Sequence, residues 1–308
     1  MGNQRILLYF TLFFIIYMIW AQWQMQYGEQ AQAPAPDETQ SEFVASDKQP
    51  ATEGIPQADT ASDSSIKSAA IPATEKAAVQ DQTIRVITDV LDIEIDTRGG
   101  TVSKSLLRDY LVEAGNEEEK VLLLNDAAIN YYVAQSGLVS SVSGTAPSHN
   151  TVYRSENSEY RLAEGQDTIE VPLYWQSPNG DQIVKTLVFK RSDYVVDVLY
   201  NITAGDKGWT GSDYMQIVRS RPVDNNQNAF IYTYTGGVVY NDEIKYEKYD
   251  FDDIAEKNLN YQLEAGWLAM IQHYFLVAWV PDADKNSLYY SRYNSNKDHY
   301  TLGARTSA

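Results

Sequence analysis

The 308 residues include no cysteine, which excludes disulfides, thiolate metal sites and thiol nucleophiles together. Basic side chains are scarce: 24 Lys and Arg stand against 42 Asp and Glu, for a net charge of −18. Binding DNA or RNA requires clustered cations to neutralise phosphates, so nucleic acid is set aside as a partner. Histidine is rarer still. His149, His273 and His299 are far apart, and none has a second ligand at helical spacing. No metal site is expected, and each reads as a packing or surface residue. The chain also lacks a G-x-S-x-G elbow, a phosphate loop and a dinucleotide fingerprint, so no catalytic residue and no cofactor is assigned.

Long apolar runs are missing too, with one exception. From Ile6 to Ala21 only Thr11 interrupts the apolar character, and no charge occurs between Arg5 and Glu29. A helix from Arg5 to Trp23 would span about 28 Å, close to the hydrocarbon thickness of a bilayer. Arg5 is the only charged side chain before it, so the positive-inside rule places the N-terminus in the cytoplasm, with Trp20, Trp23 and Tyr27 at the far interface. Ala31, Gln32 and Ala33 form an A-x-A pattern that a cleaved signal peptide would carry. It lies well beyond the apolar run and Pro34 follows it, so an uncleaved anchor over residues 1–27 is the preferred reading.

Residues 28–82 carry five of the ten prolines and a single aromatic residue, Phe43. Such a segment cannot build a core and reads as a disordered acidic linker. As a flexible coil it would reach about 40 Å, enough to tether a folded domain above a membrane.

Residues 83–308 hold 20 of the 23 tyrosines, and their apolar pattern has period two. Leu91, Ile93 and Ile95 alternate with Asp92, Glu94 and Asp96, and Thr97 to Gly100 supplies a turn. The three acids read as a solvated strand face rather than a carboxylate pair for glycoside hydrolysis. Ile169 to Leu173 and Ile183 to Lys190 flank an Asn179-Gly180 turn, and Tyr194 to Thr203 adds a further strand. Phe230 to Thr235 and Val238 to Tyr240 flank Gly236 and Gly237. Short strands follow at Tyr246 to Phe251 and Leu288 to Arg292. Ser103 to Tyr110 and Trp267 to Trp279 are the two stretches whose spacing admits a helix. Many strands between turn signals indicate stacked antiparallel sheets. The aromatic residues Tyr246, Tyr249, Phe251, Trp267, Tyr274, Phe275 and Trp279 could line a cleft, form a partner surface, or fill the core.

Several segments, in order, resemble the first transmembrane helix and large periplasmic domain of the Gram-negative YidC membrane protein insertase family. They are Asn3 to Arg5 with the apolar run to Trp20, LDIEIDTRGG at Leu91 to Gly100, AQSGL at Ala134 to Leu138 and LAEGQ at Leu162 to Gln166. The others are KTLVFKRSDYVVDV at Lys185 to Val198, YEKYDFDDI at Tyr246 to Ile254, and GWLAMIQHYFLVAWVP at Gly266 to Pro281. The resemblance implies an antiparallel β super-sandwich, mutarotase-like in shape, in the periplasm behind one inner-membrane helix. It also implies that Gly266 to Pro281 is extended, and that residues 83–308 stop short of the domain's last strands. It implies a non-enzymatic role: insertion and folding of nascent inner-membrane proteins, alone or with the Sec translocon and its accessory subunits SecD, SecF and YajC. The partner surface is expected between about Ile231 and Trp279. The alternative is an envelope carbohydrate-binding or mutarotase-like protein.

Overall fold

The computed structural model describes Phe14, Tyr17 and Met18, then residues 82–307 without 114, 117, 206–207, 223–233 and 273. Phe14, Tyr17 and Met18 are helical and exposed. The expected anchor residues Arg5, Trp20, Trp23 and Tyr27, the linker, and residues 230–233 of an expected strand lie outside the described residues. Among the described residues no helix is long and apolar enough to cross a membrane.

The strands are β1 (Thr83–Ile87), β2 (Leu91–Asp96), β3 (Thr101–Leu111), β4 (Lys120–Leu124), β5 (Tyr132–Ser140), β6 (Glu159–Arg161), β7 (Thr168–Gln176), β8 (Gln182–Lys190) and β9 (Val196–Thr203). They continue as β10 (Gly211–Ser220), β11 (Gly236–Asn241) and β12 (Lys245–Tyr249), then β13 (Asn260–Glu264), β14 (Trp267–Gln272), β15 (Phe275–Trp279), β16 (Asn286–Asn294) and β17 (His299–Thr306). One short helix, α1 (Phe251–Glu256), separates β12 from β13.

A ten-stranded sheet in the order β13-β16-β17-β10-β5-β3-β2-β1-β6, with β4 on β3, carries two smaller sheets, β12-β11-β14-β15 and β7-β8-β9. All pairings are antiparallel except β1 with β6. The apolar residues form two cores. In one, Met215, Ile217 and Leu302 of the large sheet meet Val239, Leu268 and Met270 of the four-stranded sheet, with Phe251 and Ile254 of α1 at the side. In the other, Ile84, Val86 and Ile93 meet Val171, Leu173, Leu187 and Phe189 of the three-stranded sheet. Each fully buried side chain of this kind contributes roughly 1.5–3 kcal/mol.

The period-two signal at Leu91 becomes an alternating burial pattern along β2, and the Thr97 to Gly100 turn closes on Gly99 and Gly100 at φ 75° and 59°. Asp92 pairs with Arg85 and Glu94 with Lys104 on the solvated face. Asn179 and Gly180 turn β7 into β8, with Gly180 at φ 91°. Three expectations are corrected. Ser103 to Tyr110 is strand, inside β3, because its buried positions are Thr101, Ser103, Ser105 and Leu107 and so carry little hydrophobic signal. Trp267 to Trp279 is a hairpin of β14 and β15, as the family resemblance implied. Gly236 and Gly237 do not form a turn but begin β11, where the small residue admits the Tyr249 carbonyl of β12 at close range.

Candidate partner interface

One face of the four-stranded sheet packs on the first core; on the other, Val238 and Ala269 are covered, and the end that carries Tyr240 and Trp267 is partly open to solvent. Alternation along β14 sends Leu268 and Met270 inward and Trp267 outward. Register then decides what stands beside Trp267. Tyr240 of β11 is paired with Trp267 on one side and with Tyr246 of β12 on the other, so three aromatic residues form one transverse row. The Tyr240 and Trp267 rings stack at 5.6 Å and 18°, and Tyr246 meets Trp267 at 6.1 Å and 62°. Tyr246 is 48% exposed and Leu276, on β15, is 50% exposed. Tyr274, at φ 71° in the β14–β15 turn, is also exposed.

The aromatic residues singled out in the sequence therefore divide. Tyr246 and Trp267 share the outer row, and Tyr274 stands at the hairpin tip. Phe251 is buried and packs on Tyr300 at 4.8 Å. Tyr249 packs against the first core and donates its hydroxyl to Glu247. Trp279 faces that core and donates Nε1–H to the Gln216 carbonyl at 3.1 Å. Phe275 packs against the second core and meets Tyr110 edge-on at 5.4 Å. Tyr240 and Leu276 join the outer face; both lie in the stretch from about Ile231 to Trp279 expected to carry the partner surface, but neither stands out in the sequence, and only strand register reveals Tyr240.

The border of this face is acidic. Between Asp242 and Glu256 stand seven Asp and Glu and only two basic residues, Lys245 and Lys248, and all nine are exposed. Arg221 reaches this border and pairs with Asp252 at 2.5 Å, which holds the Asp252 carboxyl below its ordinary range.

Residues 83–308 match the family model described as the YidC periplasmic domain. The chain belongs to the YidC family. A protein of Thioalkalivibrio sulfidiphilus named membrane protein insertase YidC is 38% identical over 320 residues, covering all of this chain and 55% of the relative. Its counterpart of the same name in Methylococcus capsulatus is 37% identical over 294 residues, covering 95% of this chain and 52% of the relative. The chain thus spans about half the length of the curated relatives it matches.

Among the described residues of the YidC domain, two cations are buried away from this face. Lys185 of β8 is 1% exposed, and its Nζ donates to the carbonyls of Gly99, Gly100 and Ser136 at 2.8, 3.0 and 3.4 Å. Its ammonium is therefore held by three neutral acceptors that join the three-stranded sheet to the large one. Arg219 of β10 is 3% exposed and lies 4.2 Å from the centre of the Tyr132 ring. Burial pulls its pKa below the arginine norm. His149, one of the three histidines, is buried with Nδ1 2.7 Å from the Tyr214 hydroxyl, while His299 stacks on Tyr131 at 4.4 Å. His273 lies outside the described residues.

Proposed function

We propose that this chain is the anchor, linker and periplasmic module of a membrane protein insertase, and that the module docks protein partners through the outer face of its four-stranded sheet. The supporting observation is the Tyr246–Tyr240–Trp267 row, an aromatic strip partly open to solvent beside an acidic border. Aromatic residues dominate binding energy at interfaces because they offer large area at little conformational cost. The border selects partners with basic residues beside an apolar contact and repels acidic ones.

The relatives' name supplies the process: insertion and folding of inner-membrane proteins. In that setting residues 1–27 hold the chain in the inner membrane with the N-terminus in the cytoplasm. Residues 28–82 give the mutarotase-like super-sandwich its reach. The partners are nascent inner-membrane proteins and the Sec translocon with SecD, SecF and YajC. The module acts by contact and carries out no covalent step.

The test is site-specific photocrosslinking in cells, with the probe at Tyr246 of the full-length protein and a control probe at Tyr293, which is exposed on β16. Adducts with Sec subunits or nascent membrane proteins from Tyr246 alone are expected, reduced about tenfold or more by Trp267→Ala, the size of a hot-spot loss. Equal labelling of bulk envelope proteins from both positions would defeat the reading. Saturable, stereoselective sugar binding, lost in Trp267→Ala, would favour the carbohydrate alternative.

A further inference from the structure

We infer that the edge of β15 takes up an extended segment of a partner polypeptide as an added strand, a segment apolar at alternate positions and flanked by basic residues. Among the described residues β15 is paired with β14 alone. Its sequence, Phe275 to Trp279, holds no charged residue and no proline, and Val280 continues it in the same character. Leu276 is 50% exposed and Val280 71%, with Ala278 exposed between them. An uncharged apolar row therefore lies open to solvent along a strand that ends its sheet.

Edge strands present unpaired N–H and C=O groups, and proteins blunt them with charges, prolines or bulges because any such edge is a template for another strand. The other edges of these sheets follow that rule. Glu264 stands in β13, Glu159 in β6, Lys245 in β12, Pro172 in β7 and Asp197 in β9, and β4, which pairs with β3 only, starts at Lys120. Among the described strands at sheet edges, β15 alone has neither a charge nor a proline. Strand addition uses such an edge directly: main-chain bonds supply affinity, and alternate side chains of the incoming segment meet Leu276, Ala278 and Val280.

Charge at the two ends of the strand selects the occupant. At one end the Phe275 ring meets Tyr110 at 5.4 Å, and the chain from Asp109 to Glu119 carries five acids and no base. At the other end the exposed Asp282 and Asp284 follow Val280 against one base, Lys285, which pairs with Asp282 at 3.1 Å. Two copies joined through β15 would bring these acids together. Antiparallel pairing sets the Phe275 end of one copy against the Trp279 end of the other, and parallel pairing sets each end against itself, so like charges meet in both. An apolar segment with lysine or arginine on both flanks meets opposite charge at each end. This contact is separate from the aromatic row: Tyr246 lies on β12, at the opposite edge of the sheet, so crosslinking from Tyr246 and strand addition at β15 stand or fall independently.

The probe is a fluorescently labelled peptide in which valine and threonine alternate between paired lysines, titrated with the purified full chain in detergent and read by anisotropy. Saturable binding is expected, weakened about tenfold or more when glutamates replace the flanking lysines or when alternate backbone nitrogens of the peptide are methylated. Ala278→Lys and Leu276→Lys, which put a charge on exposed positions of the edge, should weaken it to the same extent. No saturable binding, or equal binding of the methylated peptide by the wild type, would overturn strand addition. Binding unchanged in both lysine variants would move the site off β15, and tighter binding of the glutamate-flanked peptide would overturn the assignment of basic flanks. A dimer in sedimentation that both lysine variants abolish would make a second copy the occupant instead.

Discussion

Lys185 concentrates the residue-scale physics of this domain. Three carbonyls can each take one N–H of an ammonium, whereas a neutral amine offers only two donors and leaves one acceptor short. Burial works in the other direction and pushes the Lys185 amine down to about 7. The unfolded chain holds the same proton up to about 10.4. Between those values the unfolded state binds a proton that the folded state has released, so stability rises with pH across that window and is flat, at its lower level, below it. Raising the pH from about 7 to about 9 is expected to add on the order of 2 kcal/mol. The phenols of Tyr153, Tyr200 and Tyr214 nearby are all raised by burial and stay neutral there. Urea midpoints measured across this range should climb in the wild type and lose that slope in Lys185→Met. An equal slope in both would assign the titration to another group.

At the scale of elements, the helix α1 shows how a few polar atoms stop and start structure. Asp250 accepts from the backbone N–H groups of Asp252 and Asp253, and the Asp253 side chain accepts from the Asp250 N–H in return. This reciprocal cap lets a six-residue helix place Phe251 and Ile254 in the core. Asp250→Ala should cost about 1 kcal/mol, read as a lower urea midpoint with unchanged slope. An unchanged midpoint would mean that packing alone holds the helix.

Local signals of this kind were legible where polarity and geometry coincide: the alternation along β2, the glycine turn after it, and the Asn179-Gly180 reversal. They failed in β3, where buried serines hid the period, and in the β14–β15 hairpin, which turns at Tyr274 without a glycine, proline or Asn-Gly pair. The aromatic surplus of the four-stranded sheet was visible in the sequence. Its division into an outer row and core residues was not, because Tyr240 and Trp267 meet only through a pairing 27 positions apart in the chain.

At the scale of the whole β domain, the two cores raise the question of whether they fold separately. They share the large sheet: β3 pairs with β2 on the side of the second core and meets β5, of the first, at Val102 and Ala134. Val102 packs against both cores, and the Tyr132 hydroxyl ties β5 to the Met270 carbonyl of β14 at 2.8 Å. Neither smaller sheet has a second layer of its own among the described residues, so each depends on the large sheet to bury its apolar face. Loss of either core then exposes half of a sheet that the other half needs. Leu268→Ala and Leu173→Ala, at fully buried positions in the first and second core, should each cost about 2–5 kcal/mol. Each should move one and the same unfolding transition, and hydrogen exchange by global opening should quicken in both halves together. Two transitions, each shifted by only one of the substitutions, would show instead that the large sheet divides between β3 and β5.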